Sequence, residues 1–219
     1  DTLSNINLKN SLPDNINLIV PNGGDKKKLI DMSLKNVLFY KKNLYNEKKE
    51  RKTKKMSVLI DLKNKLNLKR VPFHIECFDI SNIQGKNTVA SMVLFRDGYP
   101  SKKEYRRFKI QSVDKPDDFE SMREVVQRRY SRLIKEKKDF PDLIIIDGGK
   151  GQLSASCEIL KKLKIYNKIN IIGIAKKLEE IYFPNDSVPI LLGKKSEQLK
   201  LIQNIRNEAH RFAINLSLI

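Results

Sequence analysis

The sequence predicts an α/β fold with a mixed sheet, in which a three-strand antiparallel meander is followed by parallel strands and helices flank the whole. Residues 73–110 contain short β-forming runs joined by tight turns. Residues 143–146 (LIII) and 169–175 (INIIGIA) are isolated apolar runs between helical patterns, which is typical of parallel strands buried on both faces. The predicted order is three meandering strands, then helix, strand, helix, strand and helix.

Alternation and turn chemistry predict the three strands of the meander, at residues 73–81, 88–95 and 104–110. The pair Asp97-Gly98 is a strong hairpin signal between the second and third strands. Side chains alternate along the first strand, so Asp79 and Glu76 point to opposite faces. Glu76 is therefore not expected to share a metal site with Asp79.

Helical patterns follow the meander. One helix begins near Pro116, which suits a first helical position. A second spans about residues 153–163, and the last runs from about Ser196 to near the end of the chain. A small hairpin and an irregular loop both fit residues 181–192, which precede that last helix.

An extension is expected ahead of the meander. A short strand is predicted at residues 15–20, and residues 25–68 contain no proline while repeating an apolar pattern. One long helix and two joined helices both fit that stretch. We expect a strand-plus-helix extension over residues 1–70 that packs on a second domain over residues 71–219.

The chain is strongly basic, with a formal net charge of +18 from 44 Lys and Arg against 26 Asp and Glu. A charge of this size favours a polyanionic partner, nucleic acid first and an acidic membrane second. The many lysines and asparagines also fit the codon bias of an AT-rich genome, which by itself raises the charge. No apolar run reaches the roughly 18 residues of a membrane span, and no signal peptide is visible.

The two cysteines, Cys77 and Cys157, are isolated from each other in the sequence. Two such residues form neither a disulfide framework nor a zinc site, so reduced thiols in a cytoplasmic protein are expected. Because the sequence begins with Asp1 rather than Met, we also expect it to be a piece of a longer protein.

The predicted element order is that of a ribonuclease H-like fold, and it brings two aspartates together. Asp79 lies near the end of the first strand, and Asp147 directly follows the apolar run at residues 143–146. If those strands are parallel neighbours, both carboxylates meet at one sheet edge. Mg²⁺ and Mn²⁺ prefer oxygen ligands and leave positions for phosphate oxygens. Taken singly, each aspartate is also an ordinary turn or cap residue.

Other polar residues near this edge give weaker signals. His210 shares a helix face with Arg206, four positions earlier, but a lone helical histidine is more often a surface or packing residue than a catalytic one. His74, within a strand, has the same ordinary interpretation. The turn around Lys150 (GGKG) offers backbone N–H groups and an ammonium to a phosphate, although it is not a Walker A loop.

Six motifs resemble one family when taken together and in order. They are FHIECFDISNIQG, TVASMVLF, EYRRFKI, MREVVQRRYSRL, PDLIIIDGGKGQL and IRNEAHRFAI. They are similar to the C-terminal nuclease half of UvrC, the incision endonuclease of bacterial nucleotide excision repair. The resemblance implies a ribonuclease H-like endonuclease domain over residues 71–219. Asn82 departs from the histidine expected after FDIS in many members.

The resemblance also implies a catalytic set of Asp79, Asp147 and His210, in which Asp79 and Asp147 bind Mg²⁺ or Mn²⁺. Such a set would cut the damaged DNA strand on the 5′ side of a lesion. We expect DNA contacts from five basic residues: Lys150, Arg106, Arg107, Arg206 and Arg211.

The expected partners are damaged double-stranded DNA and UvrB, with UvrA earlier in the pathway, in the bacterial cytoplasm and not at a membrane. The family's UvrB-binding segment, its N-terminal GIY-YIG nuclease domain and its helix-hairpin-helix repeats are expected to lie outside this sequence. Two alternatives stay open. One is another ribonuclease H-like nuclease or recombinase, and the other is a catalytically silent nucleic-acid-binding module.

Overall fold

The computed structural model describes residues 21–83, 87–111, 117–175, 179–186 and 188–214. Its α-helices are α1 (Gly24–Lys65), α2 (Asp118–Lys135), α3 (Lys150–Lys162) and α4 (Glu197–Ile214). Its strands are β1 (His74–Ile83), β2 (Asn87–Arg96), β3 (Tyr99–Pro100), β4 (Arg106–Lys109), β5 (Leu143–Ile146), β6 (Asn170–Ala175) and β7 (Glu180–Tyr182). The strand predicted at residues 15–20 lies outside the described residues.

The chain forms two compact units, divided between Arg51 and Lys52. Helix α1 is one uninterrupted helix of 42 residues, so of the two arrangements that the sequence allowed, the single helix is present. In the first unit its side chains are exposed. In the second unit Val58, Leu59 and Leu62 of α1 are buried and belong to the hydrophobic core.

The second unit contains a seven-stranded mixed sheet in the order β3-β2-β1-β5-β6-β7, with β4 also paired to β2. β1 and β2 are antiparallel, and both β3 and β4 pair antiparallel with β2. The predicted meander is thus confirmed. Strand β4 corresponds to its predicted third strand, and the two-residue strand β3 was not predicted. β5 pairs parallel with both β1 and β6. The predicted mixed α/β sheet with flanking helices is confirmed.

The edge strand β7 lies where the sequence allowed a hairpin or a loop. It pairs antiparallel with β6, and Ile181 forms a further isolated bridge with Ile190. The segment is therefore a short strand, and the chain after it pairs with that strand at one bridge.

The parallel register between β1 and β5 decides where the aspartates lie. Phe78 of β1 is level with Ile146 of β5, so the next residues, Asp79 and Asp147, are also level. The Asp147 N–H donates to the Phe78 carbonyl oxygen at 2.9 Å, which extends the ladder by one more bond. Level residues on neighbouring strands point to the same face of a sheet, so the two carboxylates share one face.

Glu76 shows that the opposite face of β1 is covered by α2. Its buried carboxylate accepts from Tyr130 Oη at 2.9 Å and from the Arg129 guanidinium, both on α2, and lies 3.4 Å from His74 Nε2. Burial raises the pKa of Glu76, but the neighbouring His74 and Arg129 lower it by more, so the pKa lies below its usual value. The expectation that Glu76 points away from Asp79 is confirmed.

Helix α4 covers the face that carries Asp79, packing on β1 and β2. Ser91 of β2 donates from Oγ to the Ala209 carbonyl oxygen of α4 at 2.9 Å. Ala209 and Ile205 are fully buried against the sheet.

Among the described residues, no helix is both long enough and apolar enough to cross a bilayer.

Candidate active site

Asp79 is at the centre of the candidate site and is fully buried. Its Oδ2 atom accepts from Ser81 Oγ at 2.8 Å and lies 3.2 Å from His210 Nδ1. Its Oδ1 atom is buried too and has no hydrogen-bond partner among the described residues. Because a buried carboxylate oxygen is costly to leave unsatisfied, Oδ1 is suited to a bound cation or water.

Asp147 stands beside Asp79 at the end of β5, and only 4 % of its surface is exposed. The buried thiol of Cys77 lies two residues before Asp79, on the same face of β1. Its pKa is affected by both carboxylates. Burial raises the pKa of Cys77 well above its usual value, and the charges of Asp147 and Asp79 raise it further. Both aspartates therefore lie close to one thiol, as the strand register requires.

His210 is brought to Asp79 by the packing of α4. Its side chain is 52 % exposed, although Nδ1 reaches the buried carboxylate. The bond from Ser91 to Ala209 fixes the turn of α4 that directly precedes His210. An ordinary surface role was the favoured interpretation of His210 from spacing alone; the structure places it against Asp79, where the UvrC resemblance puts it.

Arg206 lies one turn before His210 and is held by Glu179. Its Nη1 donates to Glu179 Oε1 at 2.7 Å, and the two side chains are only 16 % and 25 % exposed. The charge of Arg206 lowers the pKa of Cys77, so the guanidinium lies near that thiol. Arg206 was expected to contact DNA; the structure gives it a protein partner beside the site.

Two residues of this neighbourhood were not identified from the sequence. Ser81 lies two positions after Asp79 on the same face, so strand alternation was a usable signal for it. Glu179 had no such signal, because its place depends on the chain reversal between β6 and β7. Its backbone is left-handed, with φ of +55°, and Glu179 Oε2 is buried with no hydrogen-bond partner among the described residues.

The basic residues of β4 line up with the site across the sheet. Asp79 is level with Ser91, and Ser91 is level with Arg107, so Arg107 lies two strands away, about 10 Å at 4.8 Å per strand. Its guanidinium carbon is 4.4 Å from the ring centroid of Phe212. Arg106, its exposed neighbour, donates to the carbonyl oxygen of Tyr105 at 2.7 Å.

The other two expected DNA contacts also have protein neighbours. Lys150 begins α3, and its Nζ lies 4.7 Å from the ring centroid of Tyr182. Arg211 follows His210 and makes two 2.7 Å hydrogen bonds to Glu208. The two residues therefore flank the site from α3 and from α4, and neither lies between the aspartates.

The site is a two-carboxylate arrangement and not a preformed metal cage. Within the described parts of the chain, no group of three or more His, Cys, Asp or Glu side chains is arranged to hold a metal ion. Mg²⁺ is commonly bound by one or two carboxylates together with waters and substrate phosphates. The oxygen donors of Asp79 and Asp147, with the buried Oδ1 of Asp79, fit that requirement.

Comparison with known proteins assigns the chain to a family. The family model described as "UvrC RNAse H endonuclease domain" matches residues 63–214. The chain belongs to this family. A UvrC ribonuclease H endonuclease domain is a nuclease domain, and this class of fold implies a divalent metal cofactor in general terms.

Curated UvrC proteins are similar over most of this chain. The "UvrABC system protein C" of Cytophaga hutchinsonii is 57 % identical over 89 % of the chain, and that of Flavobacterium psychrophilum 53 % over 92 %. The protein of the same name from Methanosarcina mazei is 50 % identical over 91 %. These alignments cover 32 %, 34 % and 36 % of the respective relatives. The chain spans about a third of the length of the UvrC proteins it matches.

Solved structures are more distant from this UvrC domain. Ciona intestinalis endonuclease V, in complex with an inosine-containing DNA, matches 74 % of this chain and 68 % of its own, with 18 % identity and a TM-score of 0.35. A likeness at this level adds nothing to the assignment, which depends on the family model and the UvrC relatives.

Proposed function

We propose that this chain is the divalent-metal-dependent DNA endonuclease of a UvrC protein, which makes the 5′ incision on the damaged strand in nucleotide excision repair. One observation carries the proposal. In a chain of the UvrC endonuclease family, Asp79 and Asp147 are level on adjacent parallel strands and His210 contacts Asp79. Phosphodiester hydrolysis chiefly requires positioned charge of this kind.

Asp79 and Asp147 are the residues that would hold the metal, Mg²⁺ or Mn²⁺. When bound, such an ion polarises the scissile phosphate and lowers the pKa of an attacking water. The two aspartates lie on one face of the sheet at its carboxyl edge, and burial keeps their oxygens from bulk water. Ser81 donates to Asp79 Oδ2, which orients that carboxylate and directs Oδ1 away from the hydroxyl.

His210 is proposed to move a proton at the reacting phosphate. Its Nδ1 faces Asp79 Oδ2, and a proton on Nδ1 would be stabilised there. This arrangement leaves Nε2 as the ring nitrogen for water or a phosphate oxygen, in a side chain that is half exposed. A positioned general acid or base contributes on the order of 10²–10⁴-fold to rate.

The partners follow from the family and not from this chain alone. Damaged double-stranded DNA is the proposed substrate, and the curated relatives are named for the UvrABC system. We therefore propose that UvrB presents the substrate to the whole protein, with UvrA acting earlier, in the bacterial cytoplasm.

Metal-dependent nicking of supercoiled plasmid tests the proposal. The parent chain should nick in Mg²⁺ or Mn²⁺ and stop in EDTA. Asp147→Asn should abolish nicking, and His210→Ala should reduce the rate by about 10²–10⁴-fold. Asp139→Asn is the matched control, because Asp139 is an exposed residue ahead of β5.

Equal nicking by Asp147→Asn and by the parent would refute the proposed site. Nicking by neither parent nor variants, with DNA binding intact, would favour the catalytically silent binding module instead.

A further inference from the structure

A groove of about 520 Å³ begins at Arg211, the residue of α4 that directly follows His210. One wall is a face of α4 formed by residues three and four positions apart, Asn204, Asn207, Glu208 and Arg211. His210 lies on the adjoining face of the same helix. The opposite wall is the edge of the sheet at Tyr99 and Lys102, and Lys55 from α1 closes one side.

Lys55 is held in this groove by the hairpin between β2 and β3. A Cβ atom at Gly98 would lie 3.2 Å from Lys55 Cδ. The aliphatic part of Lys55 therefore packs closely against the Gly98 backbone, and a larger residue at position 98 would crowd it. Gly98 also has a φ of +78°, which favours glycine. The Lys55 ammonium lies 5.8 Å from the ring centroid of Tyr99, within the range of a cation–π attraction. The position of this charge is therefore set before any ligand arrives.

The charge of the groove favours an anion. Its lining has three cationic side chains, Lys55, Lys102 and Arg211, and one acidic side chain, Glu208. Arg211 binds Glu208 through two 2.7 Å hydrogen bonds, and Tyr105 Oη donates to the same carboxylate at 3.1 Å. Because Arg211 balances the charge of that carboxylate, Lys55 and Lys102 give the groove its net positive charge.

The groove leads away from the site along α4. Arg211 directly follows His210, and Leu201, at the other end of the groove, is ten residues earlier. At 1.5 Å per residue the groove extends about 15 Å along the helix, which corresponds to about four base pairs at 3.4 Å each. The exposed amides of Asn204 and Asn207 offer hydrogen-bond donors between the charged ends.

We propose that this groove binds the phosphate backbone of the DNA that is cut at Asp79 and Asp147, with Lys55 and Lys102 each neutralising one phosphate. The inference rests on the proposed nuclease function, since that function makes DNA the polyanion that reaches α4. It adds a substrate-binding surface, separate from the catalytic residues, that positions the strand next to the cut.

The test is the salt dependence of binding to a short fluorescent duplex, measured in EDTA so that no cleavage occurs. Each phosphate neutralised adds about 0.9 to the log–log slope of affinity against salt. The double variant Lys55→Gln/Lys102→Gln should therefore lower the slope by about 1.8. The control is Lys161→Gln/Lys162→Gln on α3, which removes the same charge and includes a lysine 5.1 Å from the ring centroid of Tyr166.

A slope that falls for the groove variant and not for the control supports the groove. An unchanged slope, or equal losses in both double variants, overturns it. Failure of the nuclease proposal would look different, because Asp147→Asn would then nick plasmid as the parent does. Circular dichroism and urea unfolding of each variant check that the substitutions leave the fold intact.

Discussion

Asp79 is the residue on which the site depends, because its two oxygens have different surroundings. Oδ2 has neighbours in Ser81 and His210 at 2.8 and 3.2 Å, whereas Oδ1 is buried with no hydrogen-bond partner among the described residues. A bound cation would stabilise a carboxylate in this state, because it would satisfy the buried oxygen. Asp79 thus contacts the histidine with one oxygen and leaves the other available to the proposed metal.

Arg206 is expected to act through position and not through contact with DNA, because its guanidinium is engaged by Glu179 at 2.7 Å. Arg206→Gln should slow nicking by about tenfold, equivalent to 1.4 kcal/mol, by loosening the turn of α4 ahead of His210. The salt slope of duplex binding should stay at the parent value, and Arg206→Lys should restore part of the rate. A slope lower by about 0.9 would instead make Arg206 a phosphate contact.

Glu76 should make stability depend on pH, since its pKa is lowered from 4.5 in the folded chain. A lowered carboxyl pKa gives stability that is present above the unfolded value and lost as the pH falls through the folded value. At pH 7, Glu76→Gln should cost about 3–5 kcal/mol, because Arg129 then keeps a largely buried charge without its partner.

Urea unfolding of parent and Glu76→Gln at pH 7 and below pH 4.5 measures this difference, which should shrink at the lower pH. Glu158→Gln is the control, because Glu158 pairs with Arg123 at 2.9 Å but is 57 % exposed, and such surface pairs contribute about 0–1 kcal/mol. A constant gap for Glu76→Gln at both pH values would contradict the assignment.

At the scale of elements, the register between β1 and β5 places the two aspartates of the candidate site side by side. The level pair Phe78 and Ile146 puts Asp79 and Asp147 at one edge, and α4 then brings His210 over them. This edge is crowded at Gly173 of β6, where an added Cβ would lie 3.1 Å from the Gly148 carbonyl oxygen and 3.3 Å from Leu153 Cβ. Close packing of β6 against the turn after Asp147 therefore holds that turn in place.

Gly173→Ala should destabilise the chain by about 1–3 kcal/mol through overpacking, and it should slow nicking because Gly148 directly follows Asp147. Urea unfolding and plasmid nicking measure the two effects. Gly193→Ala serves as the control, since a Cβ there would meet its nearest neighbour, Ser196 Cβ, at an ordinary 4.0 Å. Equal stability and rate for Gly173→Ala and the parent would show that the turn is not held by this contact.

The elements were largely predictable because their signals are local. Alternation at residues 73–81 and the apolar run at 143–146 predicted β1 and β5, and the Asp97-Gly98 turn predicted the hairpin. Strand β3 was not predictable, because two residues give no alternation pattern and the short 3₁₀ turn at Lys102–Glu104 separates them from β4. Contacts such as Arg206 with Glu179, 27 residues apart, depend on tertiary packing that no local pattern encodes.

The candidate site was predictable to different degrees. Strand order placed Asp79 beside Asp147 with no knowledge of the family, because the carboxyl ends of parallel neighbours meet at one edge. His210 was identified only through the UvrC resemblance, since helical spacing favoured a surface role. Nothing here tests whether the five basic residues touch DNA. For Arg206, whose guanidinium binds Glu179, the salt slope described above decides between a phosphate contact and a positioning role.

At the scale of the whole molecule, charge and length set the context of the site. The net charge of +18 suits a chain whose substrate is a polyanion, and its effect on DNA affinity should weaken with salt. The chain spans about a third of its UvrC relatives, so recruitment and damage recognition are proposed for the remaining length and for partners. The two compact units divide between Arg51 and Lys52. The domain division predicted at residue 70 is a different boundary and stays a prediction.

The central claim is that Asp79 and Asp147 hold the metal that serves DNA cleavage. Anomalous diffraction from crystals soaked in Mn²⁺ tests it most directly, with the parent and Asp147→Asn treated identically. We expect an anomalous peak within coordination distance of both carboxylates in the parent, and its loss or marked weakening in Asp147→Asn. No peak between the two aspartates in the parent, or a peak of equal height in the variant, would contradict the account.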